Sequence, residues 1–373
     1  MWLDDIEEGA IKQAQNLANL PFAVKHIAIM PDSHVGYGMP IGAVLATKGV
    51  VVPNAVGVDI GCGMCAQQTS LKEISMEKLK AVMSVIRAKI PLGFDHHTDR
   101  QDESLMPQGH ENLIVVKNQY LSALKQIGTL GGGNHFIEIQ HGSDGHVWVM
   151  IHSGSRNLGL RVAEHYNKAA IQLNEKYFSV VPKNWELAFL PVETQEAHLY
   201  MSEMKYCVEF ALANRKLMMS RIMEAFREVM GEIEIGELIN KSHNFAAWEH
   251  HFGENVLVHR KGATRAYEGE LGMIPGSMGT KSYIVRGLGN PESLMSCSHG
   301  AGRKMGRKQA SRELNLDLEI ERMNAQRIVH GLRGKNDLDE APGAYKDIET
   351  VMGNQKDLVD IVVELKPLGG IKG

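Results

Sequence analysis

The stretch Val58-Asp59-Ile60-Gly61-Cys62-Gly63-Met64 sets a carboxylate and a thiol three positions apart in a turn broken by glycine. A carboxylate oxygen and a thiolate sulfur so spaced are metal-ligand donors. Extended chain precedes this turn and a helical pattern follows it. Lys25 to Met30 and Gly42 to Val52, the latter with Ala43, Val44, Leu45 and the β-branched Val50-Val51-Val52, read as strands, whereas Met76 to Lys89 places Leu79, Val82, Val85 and Ile86 on one helical face. Further out, Ile6 to Asn19 reads as a helix, and His146 to Ile151 as a short buried strand ending at His152. Glu193 to Met230 is the clearest helical stretch, with Gly231 at its natural stop. Its methionines read as adaptable core packing rather than a sulfur metal site. Glu232 to Lys241, Asn255 to Lys261 and Ser282 to Leu288 alternate like strands, and Ala301 to Asn315 reads as a helix. This order predicts an α+β (mixed α/β) fold. No linker, repeat or low-complexity run divides the sequence, so residues 1–373 are expected to form one large domain.

With 43% hydrophobic and 23% charged residues the chain can bury a substantial core, which excludes the disordered class. No apolar run approaches the roughly 20 residues that span a bilayer, and Met1-Trp2-Leu3-Asp4-Asp5 is acidic where a signal peptide is basic. Four scattered cysteines, Cys62, Cys65, Cys207 and Cys297, do not make a secreted disulfide framework. A cytoplasmic, non-membrane protein is expected. The net charge of -4 gives no global attraction to nucleic acid, so any RNA must meet a local basic patch.

Three segments repeat the donor grammar of the turn with histidine: Gly131-Gly132-Gly133-Asn134-His135, His152-Ser153-Gly154-Ser155-Arg156 and Ser242-His243-Asn244. With Asp59 and Cys62 they supply five donors. For any one histidine the ordinary reading is a hydrogen-bonded core or surface residue; five donors all beside glycine, asparagine or serine favour ligands. A structural zinc at Cys62-Gly63-Met64-Cys65 is the rival, but no second Cys-x-x-Cys completes it. Glycines also gather in Pro31-Asp32-Ser33-His34-Val35-Gly36-Tyr37-Gly38, Pro275-Gly276-Ser277-Met278-Gly279 and Ser298-His299-Gly300-Ala301-Gly302-Arg303, loops whose exposed N–H groups can form anion nests. None matches Gly-x4-Gly-Lys-Ser/Thr or the dinucleotide fingerprint.

In this order, Val56 to Met64, Gly128 to Phe136, His152 to Arg156, Pro275 to Gly279 and Ser298 to Arg303 resemble the RtcB family of GTP-dependent RNA ligases. The likeness runs from Pro31-Asp32 to Leu365-Lys366-Pro367-Leu368-Gly369-Gly370-Ile371-Lys372-Gly373, nearly the whole chain. It implies joining of an RNA 3'-phosphate or 2',3'-cyclic phosphate to a 5'-hydroxyl, with GTP and two manganese ions in a central cleft. It implies Asp59, Cys62 and His135 around one ion and Cys62, His152 and His243 around the other. By ligand type alone zinc would be preferred, since manganese sits at the weak end of the affinity order. It also implies His299 as the nucleophile that takes GMP, at what reads as a helix start favouring bound phosphate. Asp32 is expected to fix the tautomer of His299, by analogy with a catalytic triad; a turn-capping aspartate is its ordinary reading.

By the same resemblance GTP is lined by Asn134, His135, Phe136, Ile137, Glu138, His243, Asn244, Pro275, Gly276, Ser277, Met278, Ser282, His299, Gly300, Ala301, Gly302 and Lys372. Glu138 can accept from the two adjacent donors of the guanine edge, which would select GTP over ATP. Arg156 and Arg303, extended by Lys304, Arg307 and Lys308, are expected to meet RNA phosphates, since arginine grips phosphate bidentately; alone, that strip reads as a solvated helix face. The rival classes are a two-metal phosphodiesterase or nuclease acting on RNA ends and a non-catalytic RNA-repair partner.

Overall fold

Two antiparallel sheets carry the segments singled out above, and the computed structural model describes residues 1–373. The larger sheet has seven strands in the order Leu271–Ile274, Ser282–Gly287, Val359–Lys372, Phe136–Gly142, Val147–Ser153, Gly63–Gln68 and Ile239–Ser242. The smaller has four: Ala28–His34, Ile41–Thr47, Glu254–Lys261 and Asn244–His251. Every neighbouring pair within both is antiparallel, the α+β form of the mixed fold. Strand Val359–Lys372 lies between Ser282–Gly287 and Phe136–Gly142, so widely separated parts of the sequence share one sheet.

Side chains alternate across a strand. On one face of the larger sheet Cys65, Ile137, Ile139, Val149 and Ile151 pack against Met218, Met219, Ile222, Met223 and Phe226 of helix Gln195–Met230. Leu79, Val82, Met83 and Ile86 of helix Met76–Lys89 complete that layer. Burial of each such aliphatic side chain contributes roughly 1.5–3 kcal/mol. The Ser75 hydroxyl accepts from Lys78 N at 3.3 Å and the Thr194 hydroxyl from Ala197 N at 3.2 Å, capping the two helices; the longer ends at Gly231, φ +85°. The opposite face of the sheet carries Phe136, Glu138 and His152, and it is this face that meets the functional loops.

Several expected elements change. The strand expected over Gly42 to Val52 breaks at Gly49, φ +74°, into Ile41–Thr47 and Val50–Val51. Strand Val147–Ser153 includes His152 rather than stopping before it. Of Glu232 to Lys241 only the end joins the ladder, in Ile239–Ser242. The helix expected over Ala301 to Asn315 is confined to Arg307–Glu313, because Gly302 takes φ +73° and the chain up to Gly306 is irregular. His299 therefore does not stand at a helix N-terminus, and no helix dipole favours phosphate at that residue. No helix is long and apolar enough to cross a membrane.

Candidate active site

The ligand-type residues converge at one end of the larger sheet. Cys62 enters strand Gly63–Gln68, His135 enters Phe136–Gly142, His152 lies in Val147–Ser153, and His243 links Ile239–Ser242 to Asn244–His251. Cross-strand register brings them together, with Met64 and Phe136 both opposite His152 and Gly63 opposite Ser242. Cys62 Sγ lies 3.5 Å from His135 Nε2 and 3.2 Å from His152 Nε2. His135 Nε2 is 3.1 Å from Asp59 Oδ2, and the His152 and His243 rings stand 5.2 Å apart in edge contact. The ring of His243 in turn meets that of His299, centroids 4.8 Å apart. Gly154 is needed for this approach: a Cβ there would overlap the Asp59 carboxylate.

These donors fit a cation. The ligand atoms of Cys62, His135 and His152 all lie within 4.8 Å of one another. Atoms bound at about 2.0–2.3 Å to one ion stand roughly 3.3–3.8 Å apart, close to the separations found. Asp59 Oδ1, His135 Nδ1 and His243 Nδ1 are buried without a partner. His152 Nδ1 is 3.0 Å from the Asn134 carbonyl, which assigns its proton there and leaves Nε2 as the donor. Burial, reinforced by neighbouring histidines, holds His152 and His243 well below the usual imidazole range, so both are in the neutral, ligating form. Burial and the Asp59 charge push the Cys62 thiol up, an effect a bound cation would reverse. Cys65 sits on the opposite, aliphatic face, so Cys62 and Cys65 do not form a shared Cys-x-x-Cys site.

His299 follows the short strand Ser296–Ser298, which pairs with Ala263–Arg265 in a separate two-stranded ladder, and its partner comes from the four-stranded sheet. Asp32, fully buried in strand Ala28–His34, accepts on Oδ2 from His299 N at 3.0 Å, His299 Nδ1 at 2.6 Å and Gly300 N at 3.3 Å. In the neutral ring, an Nδ1–H held by a carboxylate puts the lone pair on Nε2. Gly302 in its left-handed conformation lets the loop press against Asp32, where a Cβ would overlap the Asp32 carbonyl.

A cavity of about 430 Å³ opens over these groups, a volume suited to a nucleotide. Of the expected nucleotide contacts, Asn134, His135, Phe136, Glu138, the loop Pro275 to Met278, the run His299 to Gly302 and Lys372 border it. Four do not. Ile137 alternates onto the aliphatic face, and His243 stands behind His299. Ser282 Oγ accepts from Gly276 N at 3.1 Å and so shapes the loop. Asn244 ties Gly262 N, at 2.7 Å, to the Asp59 carbonyl, at 3.0 Å.

Glu138 is buried at the cavity wall, hydrogen-bonded by Gln140, and burial pushes its carboxyl up to about 8. Lys372 Nζ pairs with Asp339 at 2.6 Å. Arg303 borders the cavity, but its guanidinium is committed to Glu340 at 3.0 Å, the Met305 carbonyl at 3.0 Å and Tyr345 Oη at 3.3 Å. Arg156 lies outside the cavity: Nε donates to Thr129 Oγ1 and Nη2 to the Gly93 carbonyl, both at 2.8 Å, and its φ is +58°. Arg307 is the more accessible cation at the rim. Sequence reasoning missed His34, Glu340 and Tyr345 in the wall. His34 stood in a quoted glycine loop, and burial lowers its imidazole to about 4, so it stays neutral beside His299. Glu340 and Tyr345 carry no local motif.

The family model described as tRNA-splicing ligase RtcB matches residues 13–119 and 106–373. Among curated proteins, RNA-splicing ligase RtcB1 of Escherichia coli is 38% identical over 398 residues, which cover 100% of this chain and 97% of that protein. RNA-splicing ligase RtcB of Escherichia coli K12 is 37% identical with the same coverage, and tRNA-splicing ligase RtcB of Thermococcus kodakarensis 31% identical over 442 residues, 98% of this chain and 92% of that protein.

Proposed function

The chain belongs to the RtcB family and is an RNA ligase, and from that premise we propose that it joins RNA 3'-phosphate or 2',3'-cyclic phosphate ends to 5'-hydroxyl ends, using GTP and two manganese ions. The observation that carries this reading is the buried Asp32–His299 pair facing a nucleotide-sized cavity beside the Cys62, His135 and His152 cluster. Nδ1–H stays on the carboxylate while Nε2 attacks the α-phosphorus of GTP. The bond from the α-phosphorus to the α,β-bridging oxygen breaks, pyrophosphate leaves carrying that oxygen, and GMP is held on His299. A cyclic end is first opened by water, which bonds to phosphorus as the 2'-oxygen leaves and takes a proton; GMP then passes to the RNA 3'-phosphate, which becomes an activated electrophile with GMP as its leaving group. The 5'-hydroxyl attacks that phosphorus, GMP departs, and the phosphodiester is closed.

Asp59, Cys62, His135, His152 and His243 would hold manganese, which when bound supplies charge stabilisation to the phosphoryl oxygens. Glu138 accepts the N1–H and N2–H2 edge of guanine, and Asn134, the loop Pro275 to Met278 and Lys372 enclose the nucleotide. Arg307, the accessible cation at the cavity rim, contacts RNA phosphate, while Arg156 and Arg303, expected from sequence in that role, brace the loops around the site. The cytosol is the expected compartment.

Incubation with α-labelled GTP and manganese, followed by denaturing electrophoresis, tests the reading. The protein should carry an acid-labile, base-stable phosphoramidate that His299→Ala abolishes. No covalent label, or label that survives His299→Ala, would overturn it.

A further inference from the structure

Helix Gln195–Met230 is read from sequence as apolar packing, yet at its middle two consecutive polar residues, Asn214 and Arg215, are fully buried. Arg215 makes no ion pair with a carboxylate; each of its three nitrogens donates to a neutral acceptor. Nη1 donates to the carbonyls of Gly61 at 2.9 Å and Ser153 at 2.8 Å, Nη2 to Ser242 Oγ at 3.2 Å, and Nε to Asn240 Oδ1 at 2.7 Å. Gly61, Ser153 and Ser242 are each one residue from Cys62, His152 and His243. Asn214 Oδ1 accepts from Gly128 N at 2.6 Å and Thr129 N at 3.1 Å. Its Nδ2 donates to Thr129 O at 3.2 Å, Ser153 Oγ at 3.3 Å and Gly154 O at 3.2 Å. Thr129 lies in the loop that ends at His135.

We propose that Asn214 and Arg215 are positioning residues that key the four ligand-bearing segments to one another, so that the donor geometry is set from beneath the sheet. The inference rests on reading Cys62, His135, His152 and His243 as metal ligands. A guanidinium reaches three loops at once because its donors form a rigid planar fork. An ammonium is a point donor on a flexible stem and cannot span them. The asparagine amide, which accepts two backbone N–H groups and donates to three oxygens, has no isosteric substitute: aspartate loses every donor. Partners of this kind behind metal ligands characteristically alter metal affinity by about 10–100-fold when changed.

The test titrates Co2+ into the whole protein and follows the thiolate-to-cobalt charge-transfer absorption, with no nucleotide or RNA present. Arg215→Lys, Arg215→Met and Asn214→Asp should each weaken Co2+ binding by about tenfold or more and shift the band. Phe226→Leu, in the aliphatic part of the same helix, serves as a control whose melting temperature is lowered without touching the loops. It should keep wild-type affinity and band shape. Full rescue by Arg215→Lys, or a loss in the Arg215 and Asn214 variants no larger than in Phe226→Leu at matched melting temperature, would overturn the inference. Absence of the band in the wild type would overturn the ligand reading, and this one with it.

Discussion

Replacing Asp32 by asparagine tests the chemistry most directly. Asp32 Oδ2 collects three N–H donors, among them His299 Nδ1 at 2.6 Å. An asparagine oxygen can occupy the same point, but it carries no charge with which to stabilise the ring as Nε2 bonds to phosphorus. A charge-assisted hydrogen bond contributes about 1.5–3 kcal/mol, which is roughly a ten- to 150-fold loss in rate. If the amide NH2 turns to His299 instead, the proton moves to Nε2 and the nucleophile is lost; the equivalent exchange behind a catalytic histidine elsewhere costs about 10⁴. Single-turnover guanylylation of Asp32→Asn should therefore slow by about 10 to 10⁴, with GTP affinity within about threefold of wild type. Sealing of RNA already carrying a 3'-terminal GMP cap should be spared. The fold should lose about 1–3 kcal/mol, since Asp32 Oδ1 is buried without a partner and an NH2 placed there finds no acceptor. Unchanged guanylylation, or a fall in GTP affinity that accounts for the whole rate loss, would refute the assignment of Asp32 as the group that sets the His299 tautomer.

Cys62→Ala should strip metal and abolish guanylylation, whereas Cys65→Ala, on the helix-facing side of the sheet, should leave metal content intact; equal metal loss in both variants would restore a Cys-x-x-Cys site. Glu138 gives a pH signature. Its folded pKa of about 8 lies above the ordinary carboxylate value, so without nucleotide its burial costs stability progressively as pH rises from the ordinary value to about 8. On the proposed reading guanine binds the carboxylate, so GTP affinity should rise up to about tenfold per pH unit below 8 and then level off. Glu138→Gln should flatten that profile and narrow the preference for GTP over ATP, and calorimetric titration between pH 6 and 9 decides it. Arg303→Ala should cost stability by about 1–3 kcal/mol, because the buried Glu340 loses its 3.0 Å partner and keeps only the half-exposed Arg307 at 3.3 Å. Arg307→Ala should leave thermal stability nearly unchanged while slowing RNA joining about tenfold, a charge-assisted phosphate contact being lost. Melting curves and single-turnover joining rates together separate the two arginines.

Local physics made much of this legible from sequence. The apolar period of Met76–Lys89, bounded by Ser75, and the long run stopped by Gly231 depend on neighbours three or four residues apart, and both stand where the pattern puts them. Residue chemistry pointed to Asp59, Cys62, His135, His152, His243 and His299, because thiols and imidazoles beside glycine loops are uncommon enough to be noticed without coordinates. Partnership was not legible. Cys62 and His152 are separated by 90 positions, Asp32 and His299 by 267, and only strand register and the approach of two sheets bring them within hydrogen-bond reach. Alternation along Phe136–Gly142 sent Ile137 away from the cavity and Glu138 into it, a choice made by which face the long helix covers. Glycine conformations delayed the helix after His299 until Arg307, a left-handed backbone that composition suggests and does not locate. Asn214 and Arg215 are the clearest case. A buried amide and guanidinium within a methionine-rich helix have no periodic signature, since what makes them tolerable is a ring of backbone carbonyls and amides contributed by loops remote in sequence.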